Sequence, residues 1–92
     1  MAVIVKIPTP LRRVTNGASQ ALVDGGTVKD VVLGLEREFP GIGARLLNDE
    51  GDLRRTVNFY VNGEDVRFLK GGETSLKSGD EVSIVPAIAG GL

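Results

Sequence analysis

A single amphipathic helix, set between short apolar segments, constrains the fold more than any other feature of this sequence. Thr27 begins the helix, because its hydroxyl can accept a hydrogen bond from the first turn and Asp30 stands where a capping box needs an acceptor. Pro40 ends the helix, since proline disfavours helical geometry in the preceding residue. Between these limits five apolar residues fall on one stripe: Val28, Val31, Val32, Leu35 and Phe39. Such a stripe predicts a helix that packs on one face of a sheet.

The segments before the helix predict a β-hairpin. Val3, Val5 and Ile7 would form one strongly apolar face of a first strand, which Pro8 ends. Residues 15–17, Thr-Asn-Gly, are a turn signal, and a second strand follows at about residues 19–23. The two strands are therefore expected to pair antiparallel.

The segments after the helix predict three more strands. Residues 56–61 form the third strand, and the Asn-Gly turn at 62–63 leads into a short partner strand over residues 65–68. The last strand begins near residue 82 and is limited by Pro86, which has no backbone N–H to donate.

The order of these elements predicts an α+β fold. A right-handed crossover through the helix places the first and last strands side by side and parallel in the centre of the sheet. This is a β-grasp (ubiquitin-like) fold, with a mixed sheet of four to five strands packed on one main helix. We expect one domain over residues 1–88 and a flexible C-terminal tail over residues 89–92.

The composition excludes several classes of function. The chain has 92 residues with no cysteine and no histidine, which excludes disulfides, thiolate nucleophiles and most zinc sites. The acidic pairs Asp49-Glu50 and Asp80-Glu81 lie beside glycines and are typical of solvated turns. A net charge of -1 gives no attraction to nucleic acid or to an anionic membrane. Since no apolar run approaches the roughly 20 residues that span a bilayer, we expect a cytoplasmic protein.

The end of the chain carries the strongest functional signal. Gly90 and Gly91 follow almost directly after a strand of the predicted core. Another glycine pair, Gly71-Gly72, is predicted in a loop, so a Gly-Gly pair alone is a weak functional signal. The position of Gly90-Gly91, after a core strand and at the end of the chain, makes this pair informative. A glycine tail that leaves a core strand predicts a presented C-terminal carboxylate, because residues without a Cβ can enter a narrow channel.

Three local motifs accompany this tail: Val61-Asn62-Gly63-Glu64, Gly79-Asp80-Glu81-Val82 and the run from Pro86 to Gly91. Together with the order of elements they resemble the ubiquitin-like sulfur carriers of the MoaD/ThiS family, which include the molybdopterin synthase small subunit and the thiamine-pathway carrier. The resemblance covers nearly the whole chain. Residues 7–9 and 62–68 resemble the cysteine-biosynthesis subtype, which supplies sulfur to a cysteine synthase acting on O-phosphoserine.

The resemblance implies chemistry at the carboxylate of Gly91. A ubiquitin-activating-type enzyme adenylates this carboxylate with ATP, a sulfur donor converts it to a thiocarboxylate, and a partner synthase consumes the sulfur. The tail residues Ala89, Gly90 and Gly91 enter the partner enzymes. The chain is then a protein co-substrate rather than an enzyme, with no cofactor and no metal of its own.

Leu92 departs from the family pattern, in which the loaded chain ends at the second glycine. Leu92 masks the reactive carboxylate as a peptide bond, so we expect a metallopeptidase to remove it before loading. A cloning remnant is the alternative explanation of this residue.

Docking requires a surface as well as a tail. Strand alternation places Ile4 and Val85 on the sheet face opposite the helix, where an apolar patch is typical of partner binding. Arg12 and Arg67 are candidates for rim salt bridges to an acidic partner, with solvated charges as the alternative. The predicted partner-binding residues are Ile4, Pro8, Leu11, Arg12, Tyr60 and Val85. We expect the free protein to be monomeric.

Three other functions remain open at this level. A ubiquitin-like protein modifier, joined to lysines of other proteins, shares the fold and the adenylation step. A passive binding module would not depend on the tail, and an enzyme in its own right is disfavoured by the composition. Among carriers, the sulfur acceptor is expected in cysteine synthesis, with molybdopterin, thiamine and homocysteine synthesis as alternatives. The partners are accordingly the adenylating enzyme and a cysteine synthase-like enzyme or a molybdopterin synthase large subunit.

Overall fold

A computed structural model of the chain describes residues 2–86. Its regular elements, in chain order, are β1 (Ala2–Lys6), β2 (Gln20–Asp24), α1 (Val28–Glu38), α2 (Gly43–Leu46), β3 (Val57–Val61), β4 (Glu64–Asp65) and β5 (Glu81–Pro86). Three short 3-10 turns lie at Thr9–Leu11, Val66–Phe68 and Gly71–Glu73. No helix in this part of the chain is long and apolar enough to cross a membrane.

The strands form one mixed sheet in the order β2-β1-β5-β3-β4. β1 runs antiparallel to β2 and parallel to β5, and β3 runs antiparallel to both β4 and β5. The predicted central pair of first and last strands is therefore confirmed, as is the β-grasp arrangement of one sheet around one main helix. The predicted boundary at residue 88 lies outside the described residues.

Both predicted ends of the main helix are confirmed. The Thr27 hydroxyl accepts a hydrogen bond from the backbone N–H of Asp30 at 3.2 Å. Four residues of the predicted stripe are buried within α1, whereas Phe39 lies one residue past the helix and is half-buried. The Phe39 N–H still bonds the carbonyl of Leu35, so Pro40 ends the helix where the sequence predicts.

The helix packs closely on β2 at a single glycine. An added Cβ at Gly34 would lie 2.5 Å from Cγ1 of Val23, a stiff side chain that is itself only 5% exposed. The missing side chain therefore sets how closely α1 approaches the sheet.

Gly34→Ala is expected to destabilise the fold even though alanine is the better helix former. The gain in helix propensity is about 1 kcal/mol, and overpacking against Val23 costs about 1–3 kcal/mol. Unfolding in denaturant of Gly34→Ala, Val23→Ala and the double variant measures this. In the Val23→Ala background, Gly34→Ala is expected to stabilise the protein. A stabilising effect in the wild-type background would contradict the close packing.

The strand after the Asn-Gly turn is shorter than predicted. Asn62 and Gly63 have φ angles of 51° and 88°, as the tight turn requires. The partner strand, however, is only Glu64–Asp65 and not residues 65–68, because Asp65 caps the following 3-10 turn by accepting the backbone N–H of Arg67 at 2.8 Å. A local hydrogen bond from a side chain thus replaces the ladder.

The turn is held to the start of β5 by side-chain hydrogen bonds. Asn62 accepts the Glu81 N–H at 3.0 Å and donates to the Asp80 carboxylate at 3.1 Å. The backbone N–H of Lys77 also donates to Asp80, at 2.8 Å. The two hydrogen bonds that the Asp80 carboxylate accepts, chiefly that from Lys77 and then that from Asn62, hold its pKa below its ordinary value.

Candidate functional site at the end of the central strand

The described part of the chain ends at Pro86, three residues before the predicted tail. β5 lies between β1 and β3, and its last residues Val85 and Pro86 pair with Asn58 and Val57 of β3. The described part of the chain therefore ends on a central strand of the sheet. The predicted tail residues Ala89, Gly90 and Gly91, and the predicted processing residue Leu92, lie outside the described residues.

The outer sheet face carries an apolar cluster near this exit. Val82 and Ile84 are buried towards the helix, so Val85 lies on the opposite face, where it is 43% exposed. Half-buried Tyr60 pairs with Ser83, two residues before Val85. On antiparallel strands such diagonal neighbours lie about 7 Å apart. Tyr60 and Val85 together are called the tail-side cluster.

Ile4 belongs to a different part of the same face. It pairs with Glu81 of β5 and with Leu22 of β2. Because Glu81 and Val85 are four residues apart along β5, Ile4 and Val85 are offset by about 13 Å along the strand direction. Ile4 is half-buried and Leu22 is 67% exposed, and these two residues form the far cluster.

The comparison with protein families decides the assignment. The model of the ThiS family matches residues 5–91.

The chain belongs to the ThiS family.

Members and structures similar to this ThiS-family chain are carriers and modifiers. The sulfur carrier protein CysO of Mycobacterium tuberculosis (strain H37Rv) is 46% identical over 93 residues, covering 99% of this chain and all of that protein. The crystal structure of the Amycolatopsis orientalis BexX/CysO complex matches with a TM-score of 0.89 and 45% identity, over 94% of this chain and 96% of that chain. Small archaeal modifier protein 3 of Haloferax volcanii is 44% identical over 68 residues, which is 74% of this chain and 73% of that protein.

One predicted surface residue of this ThiS-family chain is not at the surface. Leu11 is 7% exposed and packs in the main core, where the 3-10 turn Thr9–Leu11 directs it. The prediction that Leu11 extends the exposed patch is therefore wrong. Pro8, which precedes this turn, is half-buried.

The two predicted rim arginines already have partners within the chain. The Arg12 Nε donates to the Ile7 carbonyl at 3.1 Å, just past the end of β1. Arg67 forms an ion pair with Asp65 at 2.7 Å. The hydrogen bonds from the Arg67 side chain and backbone hold the pKa of Asp65 below its ordinary value.

Four exposed large apolar residues were not predicted from the sequence: Leu22, Leu33, Phe68 and Leu69. Leu22 could have been found, because it stands between Ala21 and Val23, which both face the core. Phe68 is 82% exposed in the 3-10 turn that replaces the expected strand. Strand alternation cannot place a residue of such a turn, so its exposure had no usable signal in the sequence.

Proposed function

We propose that this protein is a sulfur carrier whose Gly91 carboxylate is loaded as a thiocarboxylate. The observation that carries the proposal is the 46% identity to a sulfur carrier protein across 99% of this chain. The family match extends to Gly91, so it includes both glycines of the tail. Cysteine biosynthesis is the proposed destination of the sulfur, as the name CysO implies for that relative.

The chemistry places the reaction on the main chain. A carboxylate is a poor acyl donor, and adenylation converts one of its oxygens into a good leaving group. Attack by a sulfur donor then releases AMP and leaves a terminal thiocarboxylate. Ala89, Gly90 and Gly91 have small or no side chains and therefore lose little conformational entropy on entering a partner. The folded part holds the tail and presents docking surfaces, and the chain is a co-substrate in this scheme.

Two further steps belong to the proposal. A metallopeptidase removes Leu92, which lies just beyond the family match, and so frees the Gly91 carboxylate. A sulfur-accepting synthase then binds the loaded chain through the tail-side cluster. The BexX/CysO complex supports this second step, because a CysO is bound to another protein in that structure.

A protein modifier is the second candidate function. It is supported by the 44% identity to a small archaeal modifier protein and by the solution structure of such a modifier from Methanosarcina acetivorans, with a TM-score of 0.83 and 32% identity over 96% of this chain and 94% of that chain. The curated modifier match covers 74% of this chain, whereas the carrier match covers 99%. The carrier is therefore the better supported of the two.

The absence of cysteine makes the loaded form easy to detect. The chain contains no thiol of its own, so a thiol-alkylating reagent labels only a thiocarboxylate. We expect the chain ending at Gly91, incubated with ATP, a sulfide donor and the adenylating enzyme of its source organism, to gain the mass of sulfur minus oxygen and to become alkylated once. Omission of ATP is the control. Isopeptide-linked ladders in cells, with no sulfur gain at the terminus, would favour the modifier instead.

A further inference from the structure

Positive charge is concentrated around the point where the chain leaves the sheet. Eleven residues of the chain are lysine or arginine, and five of these lie in the segments at this end of the sheet. They are Lys6, Arg12, Arg13, Arg54 and Arg55, and together they are called the basic collar.

The sheet topology assembles the collar from two segments. Lys6 is the last residue of β1 and pairs with Ser83 of β5. Arg12 and Arg13 follow in the next turn, and the hydrogen bond from Arg12 to the Ile7 carbonyl holds that turn against the end of β1.

The other side of the collar precedes β3. Arg54 and Arg55 form a turn in which the Val57 N–H bonds the Arg54 carbonyl at 3.2 Å. Val57 in turn pairs with Pro86. The Arg54 Nε donates to the Ala44 carbonyl at 3.0 Å, and the two arginines line a cavity of about 430 Å³ beside the start of β3 together with Asp52 and Glu73. The collar residues thus lie on both sides of the end of β5.

Acidic residues are absent from the segments that build this end of the sheet. Among the described residues, 2–20, 53–61 and 82–86 contain no aspartate and no glutamate. The nearest acidic side chains are Asp52 and Glu73, which line the same cavity as Arg54 and Arg55, and Asp52 also lies 3.7 Å from Lys29 of the helix. The opposite end of the sheet carries four acidic residues, Asp24, Glu64, Asp80 and Glu81, with Lys77 beside Asp80. A net charge of -1 therefore conceals a charge separation along the strands.

We propose that the basic collar docks on an acidic rim around the tail channel of the adenylating enzyme. The inference rests on the proposed function, because both the carrier and the modifier must be adenylated. The segment from Val82 to Leu92 has no charged side chain, so the tail itself cannot orient the encounter. The positive charges of the basic collar, at the end of β5, can orient the encounter. The surface of the adenylating enzyme that they meet must then be negative.

The collar is expected to act on the rate of encounter. Complementary charges raise association rates by about 10–10³-fold, and the effect falls with ionic strength. The Debye length is about 30 Å at 0.01 M salt and about 8 Å at 0.15 M. The expected signature is therefore a salt-dependent kcat/KM for the carrier with little change in kcat.

The test compares two charge reversals in the chain ending at Gly91. Arg13→Glu/Arg55→Glu alters two exposed collar residues, and Lys70→Glu/Lys77→Glu alters two exposed residues outside the collar. Both double variants change the formal net charge equally, so the second is a matched control. Pyrophosphate exchange by the adenylating enzyme of the source organism is measured at low and at physiological salt, and unfolding midpoints check that both variants remain folded.

The collar variant is expected to lose about tenfold or more in kcat/KM at low salt, while the control loses less than about twofold. The difference should shrink at physiological salt. Equal losses in the two variants, or a wild-type kcat/KM that does not depend on salt, would overturn the proposed role of the basic collar in docking. Wild-type exchange with either of those results leaves the proposed function standing, whereas a wild-type chain that supports no exchange overturns both.

Discussion

A chain that ends at Gly91 is expected to be adenylated, whereas the chain that retains Leu92 is expected to react about a thousandfold more slowly, a difference of about 4 kcal/mol in activation free energy. The reason is chemical. With Leu92 present, Gly91 has an amide carbonyl and no carboxylate oxygen that can attack the α-phosphate of ATP. The Leu92 carboxylate would have to react instead, one residue further along and carrying a branched side chain. Pyrophosphate exchange with the purified chains measures the difference.

Two controls separate tail chemistry from a general effect of truncation. Gly91→Ala in a chain ending at residue 91 keeps a carboxylate at the right distance but adds a Cβ, and it is expected to lose activity. Deletion of Gly90, Gly91 and Leu92 removes the reacting group altogether, while residues 2–86, which contain the described core, are retained. If the chain retaining Leu92 is adenylated as fast as the trimmed chain, processing is not required. A passive binding module predicts that none of these changes affects function.

The helix and the central pair of strands were predictable because local and long-range signals agree there. The Thr27 cap, the apolar stripe and Pro40 specify one helix, and the order of elements leaves few ways to cover it. The parallel pairing of β1 with β5 then follows from the handedness of the crossover. Where several levels of the sequence favour one answer, prediction succeeds.

The failures occur where a local interaction competes with the strand pattern. Residues 65–68 alternate like a strand, but Asp65 bonds the Arg67 N–H and guanidinium within two residues. Those bonds form without any loop closure, so they outcompete a ladder at the edge of the sheet. The prediction that Leu11 is exposed was wrong for a related reason, because a short 3-10 turn has no periodicity from which burial can be predicted.

The docking surface shows a different limit of sequence reasoning. Alternation correctly places Ile4 and Val85 on one face of the sheet, but it contains no information on register. The pairing of Ile4 with Glu81 puts the two residues in separate clusters. The basic collar was hidden for the same reason, because its residues are distant along the chain and are brought together by the pairing of β1 and β3 with β5.

Phe59→Ala is expected to destabilise the protein by about 3–5 kcal/mol, which is a large part of the about 5–15 kcal/mol that stabilises a typical domain. Phe59 is 1% exposed and is among the largest fully buried side chains in the described core. It also pairs with Ile84, so its ring supports the strand from which the tail departs. Denaturant unfolding measures the loss of free energy.

Phe68→Ala is the matched control, because it removes the same side chain from a site that is 82% exposed. Its effect on stability is expected to stay within about 0.5 kcal/mol. Amide hydrogen exchange in β5 extends the test to the site: the loss of Phe59 should accelerate exchange at Ile84 and Val85, while the loss of Phe68 should not. Similar destabilisation by the two variants would contradict the assigned core. Unchanged exchange in β5 would show that the order of Ile84 and Val85 does not depend on the packing of Phe59. The proposal that the folded core positions the tail would then lose its support.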